Sequence, residues 1–85
     1  MEIVYLQRLE YHTAQLFRVG LTGSKGWRLR KINGQVQPDW KKGKIYASVT
    51  DFCNETAEQD WELVSASYPG EAVTYVILHF KRLIG

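Results

Sequence analysis

The sequence predicts an α+β fold, an antiparallel β-sheet of four to five strands packed against a single amphipathic helix. Three observations lead there. A capped, helically spaced apolar stripe runs from Ser48 to Asp60, two strand-forming runs flank Pro69-Gly70, and Asn33-Gly34 marks a second hairpin.

The helix is the clearest element. Ser48-Val49-Thr50-Asp51 fits the capping pattern of a hydroxyl followed three residues later by an acid, which places a helix over 49–60 beginning near Ser48 or Thr50. Val49, Phe52, Cys53, Ala57 and Trp61 share one face, and Asp51, Asn54, Glu55, Glu58 and Gln59 share the other. Acids in the first turn also complement the partial positive charge at a helix N-terminus.

Strands follow from composition and punctuation. Trp61 to Tyr68 alternates and stops at Pro69-Gly70; the run from Val73 to Arg82 is β-branched and aromatic, with neither Gly nor Pro, so it reads as an inner strand antiparallel to 61–68. In the N-terminal half, Tyr5, Leu9, His12, Leu16 and Val19 also fit a helical period. Strands at 2–11 and 15–22 are preferred, because Ile3-Val4-Tyr5 and Leu16-Phe17-Arg18-Val19 are rich in strand formers and lack a preceding cap. Asn33-Gly34 joins Trp27–Ile32 to Gln35–Gln37 through a type I′ turn, and Pro38 to Gly43 is a loop leading to the helix.

The segment from Thr50 to Arg82 resembles a small bacterial domain-of-unknown-function family, number four-one-seven-seven. In that family a short helix enters a Gly-Trp-Glu-Leu-Val strand, turns, and returns in an aromatic strand ending Phe-Lys-Arg. The corresponding residues here are Asp60-Trp61-Glu62-Leu63-Val64 and Phe80-Lys81-Arg82, with Asp60 where the family usually has Gly. The resemblance implies a helix laid over a hairpin, with Trp61 and Leu63 between them. It implies no activity and no site residues.

Length and composition bound the function. The 85 residues make one domain, and 45% hydrophobic content with three Trp, five Tyr and three Phe supplies its core. The single cysteine, Cys53, forms no internal disulfide or thiolate cluster, which favours a reducing, cytoplasmic setting. The N-terminus lacks the pattern of a signal peptide, and no apolar run approaches the roughly 18 residues of a membrane span. Neither a membrane association nor a cofactor is expected.

The net charge of +2 conceals an asymmetry. Between Lys25 and Lys44 lie seven basic residues (Lys25, Arg28, Arg30, Lys31, Lys41, Lys42 and Lys44) against the single acid Asp39, while five acids fall between Asp51 and Glu62. A basic hairpin therefore adjoins an acidic helix. Lysine and arginine neutralise phosphates and aromatic faces stack on unpaired bases, so Trp27 and Trp40 among these cations are candidates for single-stranded nucleic acid. The alternative is that Trp27 belongs to the core and the lysines protect an edge strand.

Catalytic signals are sparse. His12 and His79 sit in no zinc-type spacing, so no metal is expected. Cys53 lies on the apolar helix face near Asp51 and Glu55, which oppose a thiolate. The helix carboxylates read as a solvated stripe. Gly20 to Gly26 lacks the spacing of a phosphate loop. Three classes of function are carried forward: first a non-enzymatic protein-interaction domain, self-associating or docking on a protein partner; second a single-stranded nucleic-acid binder; third a small enzyme or small-ligand binder.

Overall fold

The computed structural model describes residues 8–20, 25–69 and 74–84. Along the chain run β1 (Leu9–Val19), β2 (Gly26–Ile32), β3 (Gln35–Val36), a 3₁₀ turn (Trp40–Lys42), β4 (Ile45–Tyr46), α1 (Val49–Ala57), β5 (Glu62–Ser67) and β6 (Tyr75–Leu83). The strands form a six-stranded sheet in the order β3-β2-β1-β6-β5, with β4 also on β2, and every pairing is antiparallel. The class is the α+β one that the sequence predicts. The strands outnumber the expected four to five because β3 and β4, two residues each, are too short to leave a propensity signal.

The N-terminal half differs from the two expected strands. One continuous strand, Leu9–Val19, replaces the strands at 2–11 and 15–22. Nothing at His12-Thr13-Ala14 turns the chain, and β6 pairs along the whole run from Leu9 opposite Leu83 to Phe17 opposite Tyr75. Residues 2–7, 21–22 and 73 of the expected strands, and Gly70 of the expected turn, lie outside the described residues.

Local signals are met at the Asn33-Gly34 turn and at the helix start. Asn33 and Gly34 take positive φ of 51° and 80°, as a type I′ turn requires. The Thr13 amide donates to Asn33 Oδ1 at 2.9 Å and the Asn33 amide donates to the Thr13 carbonyl at 2.9 Å, tying this turn to β1. At the helix start, Ser48 is extended and its Oγ accepts from the Asp51 amide at 3.1 Å. α1 ends at Ala57 rather than at residue 60, because the Glu58, Gln59 and Asp60 amides tighten onto the Glu55, Thr56 and Ala57 carbonyls. Asp60 then leaves in the left-handed region at φ 66°.

The core lies between α1 and one face of the sheet. It comprises Ala14 and Leu16 of β1, Trp27 of β2, Val76, Leu78 and Phe80 of β6, and Phe52 of α1. Val49, Cys53, Leu29, Tyr46 and Trp61 pack against its rim. Ala57, expected on the apolar face, is exposed, and Thr56 is half-buried with its hydroxyl donating to the Phe52 carbonyl at 2.8 Å. Each fully buried aliphatic or aromatic side chain of this set contributes about 1.5–3 kcal/mol of hydrophobic stabilisation.

One helix covers one face only. Along β6, Val76, Leu78 and Phe80 are buried while Tyr75, Ile77 and His79 point away. Along β1, Thr13, Gln15 and Phe17 alternate with buried Ala14 and Leu16 in the same sense. Among the described residues the second face carries no helix.

Candidate functional site

The basic segment does not present its residues together. Trp27, a candidate contact for a partner or nucleic acid, is 9% exposed and belongs to the core beneath α1. Register explains this: Trp27 lies opposite both Arg18 and Tyr46, in phase with Leu16, so its ring points to the helix side. The Arg18 guanidinium caps it at 5.0 Å. Lys44 is tied to the helix, its Nζ donating to Glu55 Oε2 at 3.1 Å. That ion pair is where basic hairpin and acidic helix meet. Arg28 donates from Nε to the Gly43 carbonyl at 3.1 Å and braces the loop. Lys25, Lys41 and Lys42 are exposed, and Arg30, Lys31 and Trp40 are half-buried.

Four of these residues, Arg30, Lys31, Trp40 and Lys41, gather on the open face around two aromatics outside the candidate set. Phe17 of β1 and Tyr75 of β6 are cross-strand neighbours, stacked at 5.5 Å between centroids with 21° between planes. Trp40 closes on Phe17 at 5.8 Å. Arg30 is the extra residue of a bulge, because Gln15 pairs with Lys31 and Leu16 already with Leu29. The bulge sends its guanidinium over Phe17 at 4.6 Å and over Trp40 at 5.3 Å. Lys41 Nζ lies 5.9 Å from the Trp40 ring. Lys31, opposite Gln15, faces the same side, where a shallow hollow of about 150 Å³ opens between Thr13, Gln15, Lys31, Gly34 and Ile77. Gln15 Oε1 and Arg30 Nε are both buried without a hydrogen-bond partner among the described residues. The signal for Phe17 and Tyr75 was the two-residue alternation with Leu16 and Val76, which becomes readable once both runs are known to be strands.

The groups that an enzyme would use are distributed. His12 and His79 leave the sheet on opposite faces: His12 packs on Trp61 and buried Phe80, and His79 is exposed on the open side. Burial and the Arg82 charge hold the His12 imidazole below its ordinary pKa, and burial pushes the Cys53 thiol up. Both shifts keep these groups neutral. A cleft of about 210 Å³ between α1 and the sheet is lined by His12, Leu29, Tyr46, Phe52, Thr56 and Trp61 among others. His12 Nε2 is buried without a hydrogen-bond partner among the described residues. Among the described residues no group of three or more His, Cys, Asp or Glu is placed to hold a metal, and no helix is long and apolar enough to cross a membrane.

The two sheet edges are unlike. The outer edge of β2 is occupied by β3, the 3₁₀ turn and β4, whereas β5 ends the sheet with its outer edge unpaired among the described residues. All six residues of β5 are exposed, including Leu63 at 42% and Val64 at 53%, and exposed Tyr68 follows. Glu62 is the only charge on this strand.

Among the described residues, fold and surfaces together define an α+β arrangement of one helix on a six-stranded antiparallel sheet, with one sheet face uncovered and one edge unpaired. No family model, curated protein or solved structure matches the chain.

Proposed function

We propose that this chain is a non-enzymatic protein-interaction domain that works by strand addition, pairing the free edge of β5 with β5 of a second copy. The observation that carries this reading is β5 itself, a six-residue strand exposed on both faces whose backbone groups along one side are unpaired among the described residues. Such an edge is a template for another strand.

A second copy fits its chemistry. An antiparallel edge pair is self-complementary about a two-fold axis. Centred between Val64 and Ser65, it sets Glu62 across from Ser67 of the other copy and Leu63 across from Ala66, so no like charges meet. The irregular register between Leu63 and Ser65 limits how far the pairing extends and favours a closed dimer over open stacking. A reducing, cytoplasmic setting suits the half-buried, unpaired Cys53.

Sedimentation equilibrium with hydrogen exchange tests the proposal. The wild-type chain is expected to dimerise with concentration, with the β5 amides gaining protection, while Val64→Lys stays monomeric and keeps the wild-type circular dichroism. Val64 is exposed, so the lysine costs the monomer little, but near the two-fold it meets its own charge. A chain that remains monomeric at high concentration in low and high salt removes the proposal. So does a dimer that Val64→Lys leaves intact and salt dissolves, which would place contact between basic hairpin and acidic helix.

A further inference from the structure

We infer that the open face of the sheet is a binding platform for single-stranded nucleic acid, centred on Phe17, Tyr75, Trp40 and Arg30. This surface is separate from the β5 edge, and its assignment stands or falls independently of dimerisation.

A sheet face with clustered rings recognises flat, stackable groups. Phe17 and Tyr75 stand side by side on the two central strands, and Trp40 and the Arg30 guanidinium extend the same patch toward β2. Nucleobases stack on aromatic rings and on guanidinium planes, and a guanidinium already resting on two rings is held in place for a third flat partner.

Charge decides the class of ligand. Lys31 and Lys41 flank the rings and Lys42 extends from the same turn as Lys41. Among the described residues the ion pairs are Lys44 with Glu55 and Arg82 with Glu10, so none of these three lysines, nor Arg30, has a carboxylate partner there. A strand of phosphates supplies the opposite charge and the flat apolar groups together. An acidic peptide supplies the charge alone. Duplex fits poorly, because its bases are already stacked and the patch offers no helix or ribbon for a groove.

The test is fluorescence anisotropy with labelled fifteen-nucleotide oligo-dT and oligo-U, the corresponding duplex, and a polyglutamate of equal length, at low and moderate salt. The expected result is binding of the single strands, weakening linearly in log K against log salt, with duplex and polyglutamate weaker by about tenfold or more. Trp40→Ala and Arg30→Ala are expected to lose about tenfold each, the scale of one stacked base. Tyr75→Leu keeps the apolar bulk and removes the ring, so its loss reports stacking rather than unfolding; dispersed amide spectra confirm the fold of each variant. Lys41→Ala is expected to shallow the salt slope by about one. Absence of binding at low salt overturns the inference, as does preference for polyglutamate, which would mark an acidic protein partner. Binding that the lysine variant weakens but the three ring and guanidinium variants leave unchanged overturns it too.

Discussion

His12 lies flat on Trp61, ring centroids 4.2 Å apart and planes 7° from parallel, and the Arg82 guanidinium stands 4.3 Å from the same indole. Arg82 in turn donates from Nε to Glu10 Oε1 at 2.8 Å. The stack joins β1, the helix exit and β6, so it fastens the hairpin to the rest of the sheet.

The stack carries a pH dependence. His12 is held below its ordinary value of 6.5 by burial and then by Arg82, so the unfolded chain takes up a proton there at a pH where the folded chain does not. Its contribution is fully present above the unfolded pKa and is lost as pH falls toward the lower folded value. Urea midpoints followed from about pH 8 to about pH 5 should drop on the acid side, and His12→Asn should flatten that drop.

Asp60 ends the helix at φ 66°, a conformation that costs a residue with a Cβ. Among the described residues its side chain makes no ion pair or hydrogen bond that would compensate. Asp60→Gly is expected to stabilise the domain by about 0.5–1 kcal/mol, read as a higher denaturant midpoint at unchanged slope.

Two glycines of positive φ separate tight packing from turn geometry. At Gly26, φ 115°, an added Cβ would overlap the Tyr46 carbonyl oxygen, which β4 holds in place. At Gly34, φ 80°, it would meet open space. Gly34→Ala should therefore cost about 1 kcal/mol, and Gly26→Ala about 3 kcal/mol or more, displacing β4 from β2. Thermal melts distinguish the two.

The Tyr46 phenol, half-buried beside the Glu55 carboxylate, is pushed up to about 12 by burial first and by Glu55 next. A phenol whose folded pKa exceeds its unfolded value stabilises the fold below about 10 and ceases to as pH climbs through the higher value. In an ultraviolet titration the Tyr46 phenol should ionise late, and Glu55→Gln should bring that step earlier. Tyr46→Phe removes the late step.

Elements with local chemistry were legible in the chain. The Ser48 cap, the apolar stripe through Phe52, the Asn33-Gly34 turn and the β5–β6 hairpin each depend on neighbours within a few residues, and each forms. The N-terminal strand was misread because Tyr5, Leu9, His12, Leu16 and Val19 satisfy two periods at once, and pairing with β6 over nine positions chose between them. Basic charge pointed to residues 25–44 without showing which of them share a surface.

From the sequence alone came the class of fold, the helix and its cap, the second hairpin and the excess of positive charge before the helix, all set by short-range stereochemistry and composition. Tertiary structure alone decided that Trp27 faces the core while Trp40 faces out, that a bulge carries Arg30 over Phe17, and that β5 has an edge unpaired among the described residues. Those outcomes turn on strand register and on which edge the short strands cover, and register is a relation between distant segments that no single window of residues contains.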